Sequence, residues 1–284
     1  MAIDLEAQYD NRAHVPEHEQ IFARWDKETA AYRDVASKRG GEFGLKYGPS
    51  PRQTVDIYPA ESGAADAPLA LFIHGGWWRS LDPSMFGQMA AGPNKHGVTV
   101  AVVGYDLCPQ VTIATIIEQM RAACLWLWRR YKKRFVVYGH SAGGHLATCM
   151  VATDWKTIAP DAPADLVPAA YAISGVFDLT PLLQISLNND LRLTEKTARA
   201  CSPLFWNVPS GRSLDVVVGG AELDTFLQQS RAVAEAWRQG STAIRYEEIA
   251  GANHFTVIDP LNDGDSAMSK RLAEIARKVA GMAL

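Results

Sequence analysis

Turning a hydroxyl into a nucleophile at neutral pH takes three residue types: the hydroxyl itself, a base to take its proton and an acid to hold the base. The 284-residue chain offers a candidate for each. Ser141 stands in "GHSAG", residues 139–143, with glycine two positions before it and two after. The run before it, "RFVVY", is apolar and β-branched, and the run after it, "AGGHLATCM", is helix-forming, so Ser141 falls where a strand turns into a helix. So sharp a turn holds its central residue at strained, positive φ, and side chains two positions away would collide across it. Glycine at Gly139 and Gly143 removes the collision and leaves the Ser141 hydroxyl at the tip of the turn.

The base must reach that tip. Downstream there are two histidines, His145 and His254. His145 lies on the helix that Ser141 starts and cannot easily swing back to the hydroxyl. His254 lies in "AGANHFTVID", beyond the last predicted strand, where a base on such a sheet belongs. The acid follows the strand "LDVVVGG", where "AELDTF" supplies both Glu222 and Asp224. An anionic tetrahedral intermediate also needs backbone N–H donors. "HGGWW", residues 74–78, closes the strand "LALFI" with Gly75 and Gly76, so main chain from Gly75 to Trp77 can approach a substrate. The N–H of Ala142, at a helix start, is the second source, and His74 is expected to brace the loop. These parts, each preceded by a strand, arrive in the order that serine chemistry needs.

Other chemistries find less support. The net charge of −3 gives no basic footprint for nucleic acid. No apolar run approaches the roughly 18 residues of a membrane-spanning helix, and the polar, acidic start does not resemble a leader peptide. A cytoplasmic protein is therefore expected. Cys108, Cys124, Cys149 and Cys201 form no C-x-x-C and read as buried free thiols. His14 and His18 are four apart but lack a third ligand, so a solvated helix face is preferred; neither metal nor organic cofactor is implied. A small-molecule ester or amide is the expected partner, with self-association left open.

The elements that must position these residues alternate. An amphipathic helix is expected over 16–37 with proline in its first turn, then a strand pair in "GEFGLKYG" and "QTVDIYPA". "LALFIHGG", "VTVAVVGYD", "RFVVYG", "AAYAISG", "LDVVVGG" and "AIRYEEI" follow as strands, with helices at 112–131, from Ala142, and over about 264–282. Such alternation predicts an α/β fold with a mostly parallel, doubly wound sheet of about eight strands and one domain over 1–284. The interval 178–212 is too long for a plain connection and is expected to be a helical lid over the site.

"HGGWW", "YDLCPQVTI", "GHSAGGHLA", "SPLFW", "GGAELDTFLQQS", "NHFTVIDPL" and the N-terminal "YDNRAHVP" together span nearly the whole chain. In these stretches the sequence resembles the α/β-hydrolases, and within them the kynurenine formamidase (arylformamidase) and related esterase group. The resemblance implies Ser141 as nucleophile, His254 as base and Glu222 as acid, although formamidases of this type carry Asp where Glu222 stands. Asp224, the alternative acid, is assigned with Thr225 to capping the helix that follows. Trp77 and Trp78, Phe177 and Trp206 are candidates for an aromatic substrate wall. The expected reaction is hydrolysis of an aryl formamide or carboxylic ester through an acyl-enzyme. A broad short-chain carboxylesterase and an acyltransferase with the same triad are the alternatives.

Overall fold

The structure is a computed structural model that describes residues 4–240 and 242–282. Eight strands form one sheet in the order β1-β2-β4-β3-β5-β6-β7-β8. They are β1 (Glu42–Lys46), β2 (Thr54–Tyr58), β3 (Leu69–Ile73), β4 (Thr99–Val103), β5 (Val136–His140), β6 (Ala169–Ile173), β7 (Ser213–Gly219) and β8 (Ala243–Ile249). β2 runs antiparallel to β1 and β4, and every other pairing is parallel. β3, β5 and β6 are buried along their whole length, as their uninterrupted apolar runs require when helices cover both faces.

Two apolar layers flank the sheet. On one face, the helices Ile113–Tyr131, Ala142–Val151 and Asp224–Arg238 pack around Leu71, Ile73, Val137, Leu146 and Val216. On the other, His18–Ser37 and Ala267–Ala280 pack around Phe72, Val102, Tyr138 and Val217 through Trp25, Leu272 and Ala276. All four cysteines are free and buried. Among the described residues no helix is long and apolar enough to cross a membrane.

Two expected boundaries shift. The long first helix begins at His18, so Pro16 precedes it; a separate turn of helix, Asn11–His14, comes before. That break puts His14 and His18 on different elements: His14 Nε2 meets Ala221 O at 3.1 Å and His18 Nδ1 meets Val15 O at 3.0 Å. The interval 178–212 holds short helical turns only, at Thr180–Gln184, Asn188–Leu191, Glu195–Ala200 and Pro203–Phe205. Register then sets the site. Ile73 pairs with Gly139, His140 with Ile173, Ile173 with Val217, and Gly219 with Ile249, so five parallel strands end together along one edge.

Candidate active site

Ser141 leaves β5 at φ 56° and ψ −118°, and the helix Ala142–Val151 begins at the next residue. This strained conformation is locked from both sides. Ser141 N–H donates to Ile173 O at 2.8 Å, and His145 N–H donates to Ser141 O at 3.1 Å. The flanking glycines have the steric role the sequence suggested. A Cβ on Gly143 would lie 1.9 Å from Ile73 O, and one on Gly139 would lie 2.3 Å from Gly143 O. Any side chain at either position would force apart the strand, the turn and the helix.

His254 comes to this tip from the loop after β8. Its Nε2 lies 3.1 Å from Ser141 Oγ and its Nδ1 lies 2.6 Å from Glu222 Oε2. With Nδ1–H donated to the carboxylate, Nε2 is free to accept the serine proton. Ser141, Glu222 and His254 are 3 %, 6 % and 2 % exposed, so the relay is shielded from water. Glu222 Oε1 accepts Gly219 N–H at 2.7 Å and also the hydroxyl of Ser174. Ser174 itself is buried at φ 52°, a conformation that costs a non-glycine residue on the order of 1–3 kcal/mol. In this conformation, just past β6, the hydroxyl meets the Glu222 carboxylate from the loop after β7.

His140 is a second residue that sequence reasoning did not assign. Its Nε2–H donates to His254 O at 2.7 Å, and the two rings lie 4.8 Å apart. Burial pushes the His140 imidazole well below its ordinary range, and the neighbouring His254 pushes it the same way. A neutral His140 ring places no cation against the His254 ring. Phe226 closes the other side of His254 at 4.5 Å.

The loop after β3 enters the left-handed backbone region at four residues, three of them not glycine. Gly76, Trp77, Trp78 and Leu81 have φ of 108°, 55°, 54° and 69°. Ser80 N–H donates to Gly76 O at 2.9 Å, Cys108 N–H to Trp78 O at 2.8 Å and Arg52 to Leu81 O at 2.7 Å, which hold the turn. His74 braces it from below. Its Nδ1–H donates to Gly75 O at 2.7 Å, its ring stacks on Tyr105 at 4.3 Å, and burial lowers its pKa to about 4. Backbone N–H groups of Gly75, Gly76 and Trp77 thus lie in a fixed turn beside Ser141. Ala142, as the first residue of its helix, has no intrahelical acceptor for its own N–H.

A narrow cavity of about 40 Å³ reaches Ser141 and His254. Its apolar wall is Phe22, Trp25, Trp77, Leu81 and Phe255. Outside it lies a wider recess of about 480 Å³ lined by Tyr9, Arg12, Trp77, Arg79 and Asp190. Of the four aromatic candidates only Trp77 lines the cavity. Trp78 is wholly buried and set edge-on to His145 at 5.0 Å. Phe177 is wholly buried in the core beneath Gly175. Trp206 lies away from Ser141, with Nε1–H donated to Ala200 O and Arg121 over its ring. The lid expectation for 178–212 needs the same correction. Residues 185–187 and 190 line the outer recess only, and the cavity is roofed by the N-terminal segment through Asn11, Arg12, Phe22 and Trp25. Asp224 is exposed as the first residue of Asp224–Arg238, and Leu223 at the cap position makes no side-chain capping bond, so the assigned cap is absent.

Residues 70–258 match a family described as having the alpha/beta hydrolase fold. Two relatives are named kynurenine formamidase. The one from Danio rerio is 30% identical, covering 82% of this chain and 81% of its own. The one from Drosophila melanogaster is 32% identical, covering 86% and 84%. A solved structure from a Silicibacter species, described only provisionally as a thioesterase, superposes with a TM-score of 0.83 at 31% identity. That likeness covers 95% of this chain and 98% of the other.

Proposed function

The chain belongs to the α/β-hydrolase family and is a hydrolase; from that premise we propose that it is a serine enzyme that removes a small acyl group, formyl above all, from an aromatic amine. The relay from Glu222 Oε2 through His254 to Ser141 Oγ, at 2.6 and 3.1 Å, carries the reading. Ser141 Oγ attacks the carbonyl carbon while His254 Nε2 takes its proton, and Glu222 holds the imidazolium that forms. Backbone N–H groups of the Gly75–Trp77 turn and of Ala142 receive the oxyanion. His254 then protonates the leaving nitrogen, the C–N bond breaks, and water cleaves the acyl-enzyme by the same route in reverse.

The cavity supports a small acyl group. One water needs roughly 10–15 Å³ of such space, so a volume of about 40 Å³ admits an acyl group of one or two carbons beside Ser141. The aromatic walls and the wider recess suit a flat leaving group. The formamidase relatives agree with that chemistry.

The test compares kcat/KM on N-formylkynurenine with that on short p-nitrophenyl esters, alongside fluorophosphonate labelling of the wild type and Ser141→Ala. Labelling at Ser141 with a preference for the formamide is expected, with activity in Ser141→Ala lower by about 10⁴-fold or more. Labelling elsewhere would remove Ser141 as nucleophile. A strong ester preference would make the protein a carboxylesterase, and acyl transfer to an added alcohol in preference to water would make it an acyltransferase.

A further inference from the structure

Asn11 is 3 % exposed, and neither its Oδ1 nor its Nδ2 has a hydrogen-bond partner among the described residues. Leaving a buried amide unpaired costs about 1–3 kcal/mol by mutational measure, so an apolar residue would serve better if the position were only structural. Several other buried side chains also carry an unpartnered atom, among them Tyr58, Trp78, Gln88, Trp155 and Ser230. None of these lines the cavity at Ser141. Asn11 does, and it lines the outer recess as well, so the residue borders both spaces. The residue is also held firmly in place. Asp10 caps the short helix Asn11–His14 through Ala13 N–H, and Tyr9 is pinned between Trp77 and Phe226.

We propose that Asn11 recognises the N–H of the scissile amide and so sets a preference for amides over esters; this rests on the serine-hydrolase reading above. The chemistry around the cleaved bond supplies the reason. When Ser141 Oγ bonds to the carbonyl carbon, the amide nitrogen becomes pyramidal. Its lone pair must turn towards His254 Nε2–H to receive the proton that left Ser141. Its own N–H then points to the opposite side, into a space walled by protein, and needs an acceptor there. Asn11 Oδ1 accepts it. The C–N bond then breaks, the nitrogen leaves as a neutral primary arylamine, and the acyl group stays on Ser141. Asn11 Nδ2 donates to an acceptor carried on the same leaving group in the outer recess. An ester oxygen bears no hydrogen at the corresponding point and gains nothing from Oδ1.

The experiment measures kcat/KM of the full chain, wild type, Asn11→Ala and Asn11→Leu, on formanilide and on phenyl formate, which differ only in NH against O. Losing a buried hydrogen bond of this kind corresponds to roughly 10–100-fold in rate. Both variants should lower the ratio of kcat/KM on formanilide to that on phenyl formate by that factor, and turnover of phenyl formate reports a folded site. Asn11→Leu keeps the same number and branching of side-chain heavy atoms, so it separates the lost amide from a lost contact. Parallel losses on both substrates, or no loss on formanilide, overturn the assignment and leave the general reading standing. A wild type that cleaves phenyl formate but not formanilide overturns the aryl-formamide reading, and the role of Asn11 falls with it.

Discussion

Ser174 donates its hydroxyl to Glu222 Oε1, on the opposite side of the carboxylate from His254, and it does so from a left-handed backbone conformation at φ 52°. The two oxygens of Glu222 are thereby divided. Oε1 is fixed by Ser174 and Gly219 N–H, and Oε2 faces the imidazole. Strain at the end of β6 is thus tied to the carboxylate that holds the His254 ring.

This division separates stability from rate. Ser174→Ala removes the hydroxyl and keeps the strain, whereas Ser174→Gly removes both. Both variants should lose kcat by a similar factor, about 10-fold or somewhat more, as expected for one hydrogen bond to a charged group. Ser174→Gly should melt higher than Ser174→Ala. Melting curves and kcat on one substrate check this, and unchanged kcat in both would strip Ser174 of any positioning role.

Glu222 and Asp224 should behave very differently. Glu222→Gln should fold, since the replacement is isosteric, but lose up to ~10⁴-fold in kcat because the imidazole is no longer held in the right tautomer. Asp224 is exposed and makes no capping bond. Asp224→Asn should therefore keep full activity and shift stability by no more than about 0.5 kcal/mol, the helix-dipole contribution of one exposed charge. An inactive Asp224→Asn would overturn the assignment of the acid.

Three buried imidazoles tie stability to pH. Burial lowers His74 and His145 to about 4 and holds His140 well below its ordinary value. In the unfolded chain each titrates near 6.5, its unperturbed value. Above that pH both states are neutral and the stability is fully present. As pH falls from about 6.5 towards 4, the unfolded chain binds protons that the fold refuses, and stability declines. Urea titrations across that range should show it, with a shallower slope in His145→Gln. A slope unchanged by that substitution would mean that His145 titrates normally in the fold.

Trp206→Ala should leave kcat and KM within about twofold and lower the melting temperature modestly, as expected for a partly exposed side chain away from the reacting atoms. A large change in substrate ranking would place Trp206 nearer the site than its bond to Ala200 O implies.

The residues of the candidate site were legible because their signals are local. A serine between two glycines at a strand–helix joint is a statement about collisions within five residues, and the bonds of Ser141 and the close approach at Gly143 follow from it. His254, Glu222 and the Gly75–Trp77 turn could likewise be placed by the strands before them, because parallel strands in register end on one edge. The surroundings were not legible. Trp78, Phe177, Trp25 and Phe22 are the same kind of residue in sequence, and burial rewards apolar area without regard to what lies beside it. Only the packing decided that Trp25 and Phe22 wall the cavity while Trp78 and Phe177 fill the core. Ser174 carried no motif, and Asn11 stood in the "YDNRAHVP" stretch without a role attached to it. Each acquires its role from a residue distant in the chain, Glu222 for the first and the cavity over Ser141 for the second, and contacts between distant segments are set by how the layers close over the sheet.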